Sequence, residues 1–132
     1  MAQTAITSIE SAHDVATTID RLESILTEKG LAIFGRVDHA ANAESVGMSL
    51  PPAQLLIFGN PQVGTKLIMS SPSIALDLPL KMLAAENDAG KVHLSWIDPQ
   101  HLKSFHQVEE CDELFLNVTN IVEGFARQAV SP

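Results

Sequence analysis

The hydrophobic pattern of the chain changes period several times, and each change predicts an element. Residues 4–10, Thr-Ala-Ile-Thr-Ser-Ile-Glu, are rich in β-branched side chains and predict a first strand. Ser11 and Asp14 then form an S-x-x-D start resembling a capping box. Val15, Ile19, Leu22, Ile25 and Leu26 follow at helical spacing, and Gly30 suits the left-handed position after a helix, so a helix is expected over about 12–29. Leu31 to Val37 alternates too weakly to show one wet face and reads as a mostly buried strand. Asp38 can cap a short Ala-rich helix over about 39–46, closed by Gly47. The Pro51-Pro52 pair forbids helix in the connector that follows.

The densest signals lie between residues 53 and 83. The apolar run Leu55 to Phe58 predicts a third strand, cut off by Gly59-Asn60-Pro61. Asn60 is a good N-cap and Pro61 suits the first helical position. The helix that follows puts Val63 and Leu67 on one face and ends at Pro72. Gly64 inside it costs ~1 kcal/mol against Ala, which suggests close approach of a strand, a subunit or a ligand. Residues 74–86 predict a fourth strand, broken near Pro79, where an edge or bulge is expected. Asn87-Asp88-Ala89-Gly90 predicts a hairpin turn into a strand over 91–97, with Val92, Leu94 and Trp96 on one face. Asp98-Pro99 repeats the cap-plus-proline signature before a short helix over about 99–106. A final helix, about 109–129, carries the clearest stripe: Cys111, Leu114, Phe115, Val118, Ile121, Val122 and Phe125.

The element order is therefore β-α-β-α-β-α-β-β-α-α. Helical connections between strands suggest several parallel neighbours. The expected fold is a two-layer α/β sandwich of the α+β class, with one mixed sheet of about five strands and helices packed on it. The 132 residues, 45% of them hydrophobic, fit one domain with one sizeable core.

Charge narrows the function classes. Sixteen acidic residues face eight Lys and Arg, for a net charge of -8, and no basic cluster exists. Phosphate neutralisation needs clustered cations, so nucleic acid is not an expected partner, and an anionic membrane surface is disfavoured likewise. No apolar run approaches the ~20 residues of a membrane helix, and Met1 to Ile6 lacks a signal-peptide pattern. The single Cys111 forms no intrachain disulfide, which suits a reducing cytoplasm. His101 and His106 are five apart and do not share a helix face, while His13 and His93 are isolated. No metal site and no cofactor are expected.

Several motifs together resemble a known bacterial family. Phe34-Gly35-Arg36-Val37-Asp38-His39, Leu55-Leu56-Ile57-Phe58-Gly59-Asn60-Pro61 with Gly64-Thr65, and Leu76-Asp77-Leu78-Pro79-Leu80 are similar to the family catalogued as domain of unknown function 302. The likeness covers about residues 30–97. Trp96-Ile97 and Lys66-Leu67-Ile68-Met69 depart from the family's usual residues, but neither departure touches the polar motif positions. The resemblance implies a compact α/β fold, dimeric, and implies no activity.

Candidate chemistry concentrates in those motifs. Asp38-His39 sits at a strand-to-helix junction, a place where α/β sheets commonly bind ligands, and His39 could serve as a general acid or base. The alternative is that Asp38 only caps the helix. The start at Asn60, Gly64 and Thr65 exposes N–H groups suited to an anion, against the alternative of a cap with a packing glycine. Asp77, flanked by leucines, needs a partner if buried, with Arg36 or His39 as candidates. No G-x-S-x-G nucleophile occurs, and Cys111 falls on an apolar stripe, so it reads as a buried thiol. The leading expectation is a dimeric small-ligand-binding or sensing module with a polar pocket of Asp38, His39, Asn60, Gly64, Thr65 and Asp77. The alternative is a small enzyme using Asp38 and His39, with Asp77, for proton transfer. The homodimer expectation rests on the resemblance, and on Pro79 leaving Leu76, Leu78 and Leu80 at an edge that needs cover.

Overall fold

The computed structural model describes residues 5–132. Five strands form one sheet in the order β1-β5-β4-β3-β2. They are β1 (Ile6–Glu10), β2 (Ala32–Asp38), β3 (Ala53–Gly59), β4 (Leu80–Glu86) and β5 (Val92–Ile97). Thr4, expected in the first strand, lies outside the described residues. The helices are α1 (Val15–Glu28), α2 (His39–Ser45), α3 (Pro61–Ser70), α4 (Pro99–Phe105) and α5 (Asp112–Val130). Element order and the two-layer arrangement match the expectation from sequence. No helix among the described residues is long and apolar enough to cross a membrane.

The expected parallel neighbours do not occur. Every adjacent pair in the sheet is antiparallel. For β2 and β3, helix length gives the reason. A parallel neighbour requires the connection to travel back the length of a strand, ~23 Å for seven residues. The seven residues of α2 span only ~10 Å, so the chain re-enters the sheet where it left. The 14-residue α1 is long enough, and it carries the chain from β1 at one edge to β2 at the other.

The core lies between the sheet and the α1/α5 layer. Val15, Ile19, Leu22 and Leu26 from α1 meet Val122, Phe125, Ala126 and Ala129 from α5 over Leu56, Phe58, Met82, Ala84, Leu94 and Trp96. A smaller cluster joins Leu67, Ile74, Leu102, Val108 and Phe115 beneath α3 and α4.

Turn and cap chemistry is local. Gly30, Gly47 and Gly90 all take positive φ, as their positions after helices and in the hairpin require. Asn87 Oδ1 accepts from the N–H groups of Ala89 and Lys91, both at 3.0 Å, and so closes the hairpin. The cap of α1 is Asp14, which accepts from Thr17 N–H at 2.8 Å. That hydrogen bond holds the Asp14 carboxyl below its ordinary value. Ser11, expected to be the cap, is instead buried and hydrogen-bonded to the Thr18 hydroxyl at 2.7 Å.

Two further expectations are corrected. Residues Pro72–Asp77 form a 3-10 turn, and β4 begins only at Leu80. Two prolines bracket that segment, Pro72 at its start and Pro79 just before the strand, so neither needs to donate to a ladder. Pro79 therefore marks no sheet edge, because β4 lies between β3 and β5. Cys111 precedes α5 in a left-handed conformation, φ 65°, and is half-buried.

Candidate functional site

The turn between β3 and α3 is built as its residues predict. Asn60 Oδ1 accepts from Gln62 N–H at 3.0 Å and from Val63 N–H at 3.4 Å. Gly64 N–H donates to the Asn60 carbonyl at 2.8 Å. The first-turn donors thus have partners within the chain, which leaves little for an outside anion at this helix start. A Cβ built on Gly64 would meet Leu78 Cδ1 at 3.9 Å, an ordinary contact, so this glycine is not forced by close backbone approach. It faces space.

That space is a cavity of about 460 Å³, within the usual size range for small-molecule sites. Its walls are apolar. Phe58 and Leu80 come from the sheet, Val63, Leu67 and Ile68 from α3, Ile74 from the 3-10 segment, and Leu78 and Pro79 from the link between it and β4. Leu102 closes it from α4, and Phe115, Val118, Val122 and Phe125 from α5. Phe34 is brought there by a register shift between Ile33 and Gly35, a bulge that re-aims the strand's side chains. The polar contributions are Lys29, Asn60 and Thr65.

The six residues named from sequence are not gathered in this one place. Asn60, Gly64 and Thr65 line the cavity, whereas Asp38, His39 and Asp77 do not. The strand register shows why. Ala32 pairs with Gly59, which puts the start of β2 beside Asn60, while Asp38 pairs with Gln54 at the other end of the same strands, ~20 Å away. There the Asp38 carboxylate accepts from Ala41 N–H at 2.9 Å, capping α2, and His39 is exposed. Arg36 is engaged by Asp20, Glu23 and Gln54, so it is no partner for Asp77.

Asp77 instead finds His106, which sequence reasoning passed over. Its Oδ2 lies 2.6 Å from His106 Nε2, and His106 Nδ1 lies 2.8 Å from the Ser73 hydroxyl. The His106 side chain is only 5% exposed. With Nε2–H donating to the carboxylate, Nδ1 accepts from Ser73 O–H, and all three groups are satisfied. The order is that of a proton relay, but none of Ser73, Asp77 and His106 lines the cavity. The arrangement therefore reads as a latch holding the 3-10 segment, one wall of the cavity, to the end of α4. Thirty-three residues separate Ser73 from His106, so no local motif could announce it.

The profile of the family described as "Domain of unknown function DUF302" matches residues 7–125. The chain belongs to this family. A crystal structure of an uncharacterized conserved DUF302 protein from Bacillus stearothermophilus shares the fold, with a TM-score of 0.77 at 16% identity over 97% of each chain. Relatives from Brucella carry a functional name. The "Fluoride-specific ion channel FluC 1" proteins of Brucella suis and Brucella abortus are 45% identical over 103 residues, or 78% of this chain. The matched part is 41% and 38% of their respective lengths, so this DUF302 chain corresponds to less than half of either channel protein.

Proposed function

We propose that this DUF302 chain is a small-ligand-binding module whose ligand is apolar rather than polar. The observation that carries the reading is the 460 Å³ cavity with an almost wholly apolar wall, set between the sheet, α3 and α5. Apolar ligands gain by leaving water for such a wall, whereas a bare anion would lose its hydration with little in return. Fluoride, the ion named for the Brucella relatives, is thus a poor occupant. Those relatives do suggest a setting: a module attached to a channel works beside a bilayer, where apolar molecules are concentrated. The enzyme alternative finds less support, because Asp38 is occupied as a cap and His39 stands apart from the cavity.

The test uses decanol as probe, followed by thermal unfolding and by displacement of the dye anilinonaphthalene sulfonate. Decanol should raise the midpoint of wild type, since a ligand bound only by the folded state stabilises it by mass action. Gly64→Leu, which extends a side chain into the cavity, should abolish the shift while remaining folded. A folded wild type with no decanol-dependent shift would sink the reading.

The module is further proposed to act as a homodimer, now on different grounds from those of the sequence. An antiparallel sheet with one wet face should place polar residues outward. Yet the face of the central strands turned away from the core carries Leu55 and Ile57 on β3 and Leu83 and Ala85 on β4, with Lys81 at its end opposite Ile57. Ile6 and Ile97 extend this surface and are 47% and 45% exposed. A second copy meeting it face to face about a two-fold axis would cover it. Light scattering should return twice the chain mass, and Leu55→Lys with Leu83→Lys should return the single mass; a monomeric wild type rejects the dimer.

A further inference from the structure

The geometry points to a single-chain carboxylic acid as the ligand, with its head at Lys29; this rests on the apolar-ligand reading above. Acidic residues outnumber Lys and Arg by sixteen to eight in the chain, yet no acid lines the cavity, and its one charged residue is Lys29. Lys29 is exposed and makes no ion pair with another described residue, so its ammonium is available to a partner. It follows α1 directly and precedes β2 by two residues, at the end of the sheet where Ala32 pairs with Gly59. That register places it at the same end as Asn60 and Thr65, the two polar side chains of the lining. The Asn60 side-chain oxygen is used in capping, which leaves its amide N–H₂ to donate, and the Thr65 hydroxyl of the same lining can donate as well. Donors and a cation at one end, and an apolar barrel of Phe, Leu and Ile beyond, match a carboxylate head and an alkyl tail. If a methylene takes about the ~30 Å³ of a water molecule, the cavity holds one chain of on the order of a dozen carbons. A lysine stem lying along apolar surface with its head in water is the usual way such a rim is made.

The experiment measures Kd for straight-chain acids and the matching alcohols, from six carbons to sixteen, against wild type, Lys29→Gln and Lys29→Glu. The reading predicts about fourfold tighter binding per methylene until the cavity is full, then a plateau. It predicts that wild type favours acid over alcohol by about twofold to fivefold, as suits a solvent-screened ion pair, less so at high salt. Lys29→Gln should erase that preference and Lys29→Glu reverse it. Absence of any chain-length dependence would overturn the apolar-ligand reading itself. Chain-length dependence with equal acid and alcohol affinities in wild type, or an acid preference that survives Lys29→Gln, would leave that reading standing and overturn only the head-group assignment.

Discussion

Phe115→Ala should cost about 3–5 kcal/mol, a large part of the ~5–15 kcal/mol by which a domain of this kind is stable. Phe115 is 1% exposed and is the largest buried side chain of the cluster that joins α5 to α3, the 3-10 segment and α4. Truncation removes the whole benefit of burying the ring. It also merges the new void with the existing cavity, of which Phe115 is a wall, and neighbours fixed on three separate elements do not close over it. Urea unfolding should show a lower midpoint with an unchanged slope. Phe105→Ala is the control: that ring is 67% exposed, and its loss should change stability by no more than ~0.5 kcal/mol. Equal, small effects for the two variants would mean that the second cluster contributes nothing to the fold.

Arg21→Ala should cost about 1.5–3 kcal/mol, although Arg21 has no carboxylate partner among the described residues. Its guanidinium donates from Nε to the Ala129 carbonyl at 2.9 Å, and from Nη2 to the carbonyls of Gln128 at 2.9 Å and Ser131 at 3.1 Å. These carbonyls end α5 and lack helical partners of their own, and the charge also meets the negative end of the helix dipole. One side chain of α1 thereby fixes the end of α5 in the layer they share. Arg21→Lys should recover only part of the loss, because an ammonium cannot present the same planar fork. Full recovery by lysine in a denaturation series would show that charge alone, not the fork, is what matters.

What could be read from sequence was what short segments decide for themselves. Asn60-Pro61 and Asp98-Pro99 each start a helix as expected, with Asp98 accepting from Gln100 N–H at 2.9 Å. The stripe from Cys111 to Phe125 identified the buried face of α5 in part: Phe115, Val122 and Phe125 are buried, whereas Ile121 is 53% exposed and Cys111 precedes the helix. The weak alternation of residues 31–37 misled: β2 is an edge strand with no fully buried residue rather than a mostly buried one, and the irregularity between Ile33 and Gly35 shifts the phase midway. Strand direction was not legible, because a short helix after a strand looks the same whether the chain crosses over or turns back. The site was half legible. Asn60, Gly64 and Thr65 mark one end of the cavity, but its walls are ordinary apolar residues from every layer, and each of them reads as core. Asp38 and His39 shared a motif with that turn yet sit at the far end of paired strands. The Ser73–His106–Asp77 latch needed the tertiary fold to exist at all.

The strand order also sets a schedule. From β2 to β5 each strand lies beside the next one made, so that part of the sheet can be laid down in the order of synthesis. β1 is different: it pairs with β5, and Ser8 meets Ser95 across 87 residues of chain. Closing so long a loop carries an entropic cost that neighbouring strands do not bear, so long-range pairing of this kind is slow to form. β1 thus waits, unpaired, until about two-thirds of the 132 residues have followed it, and the sheet is completed at its β1 edge.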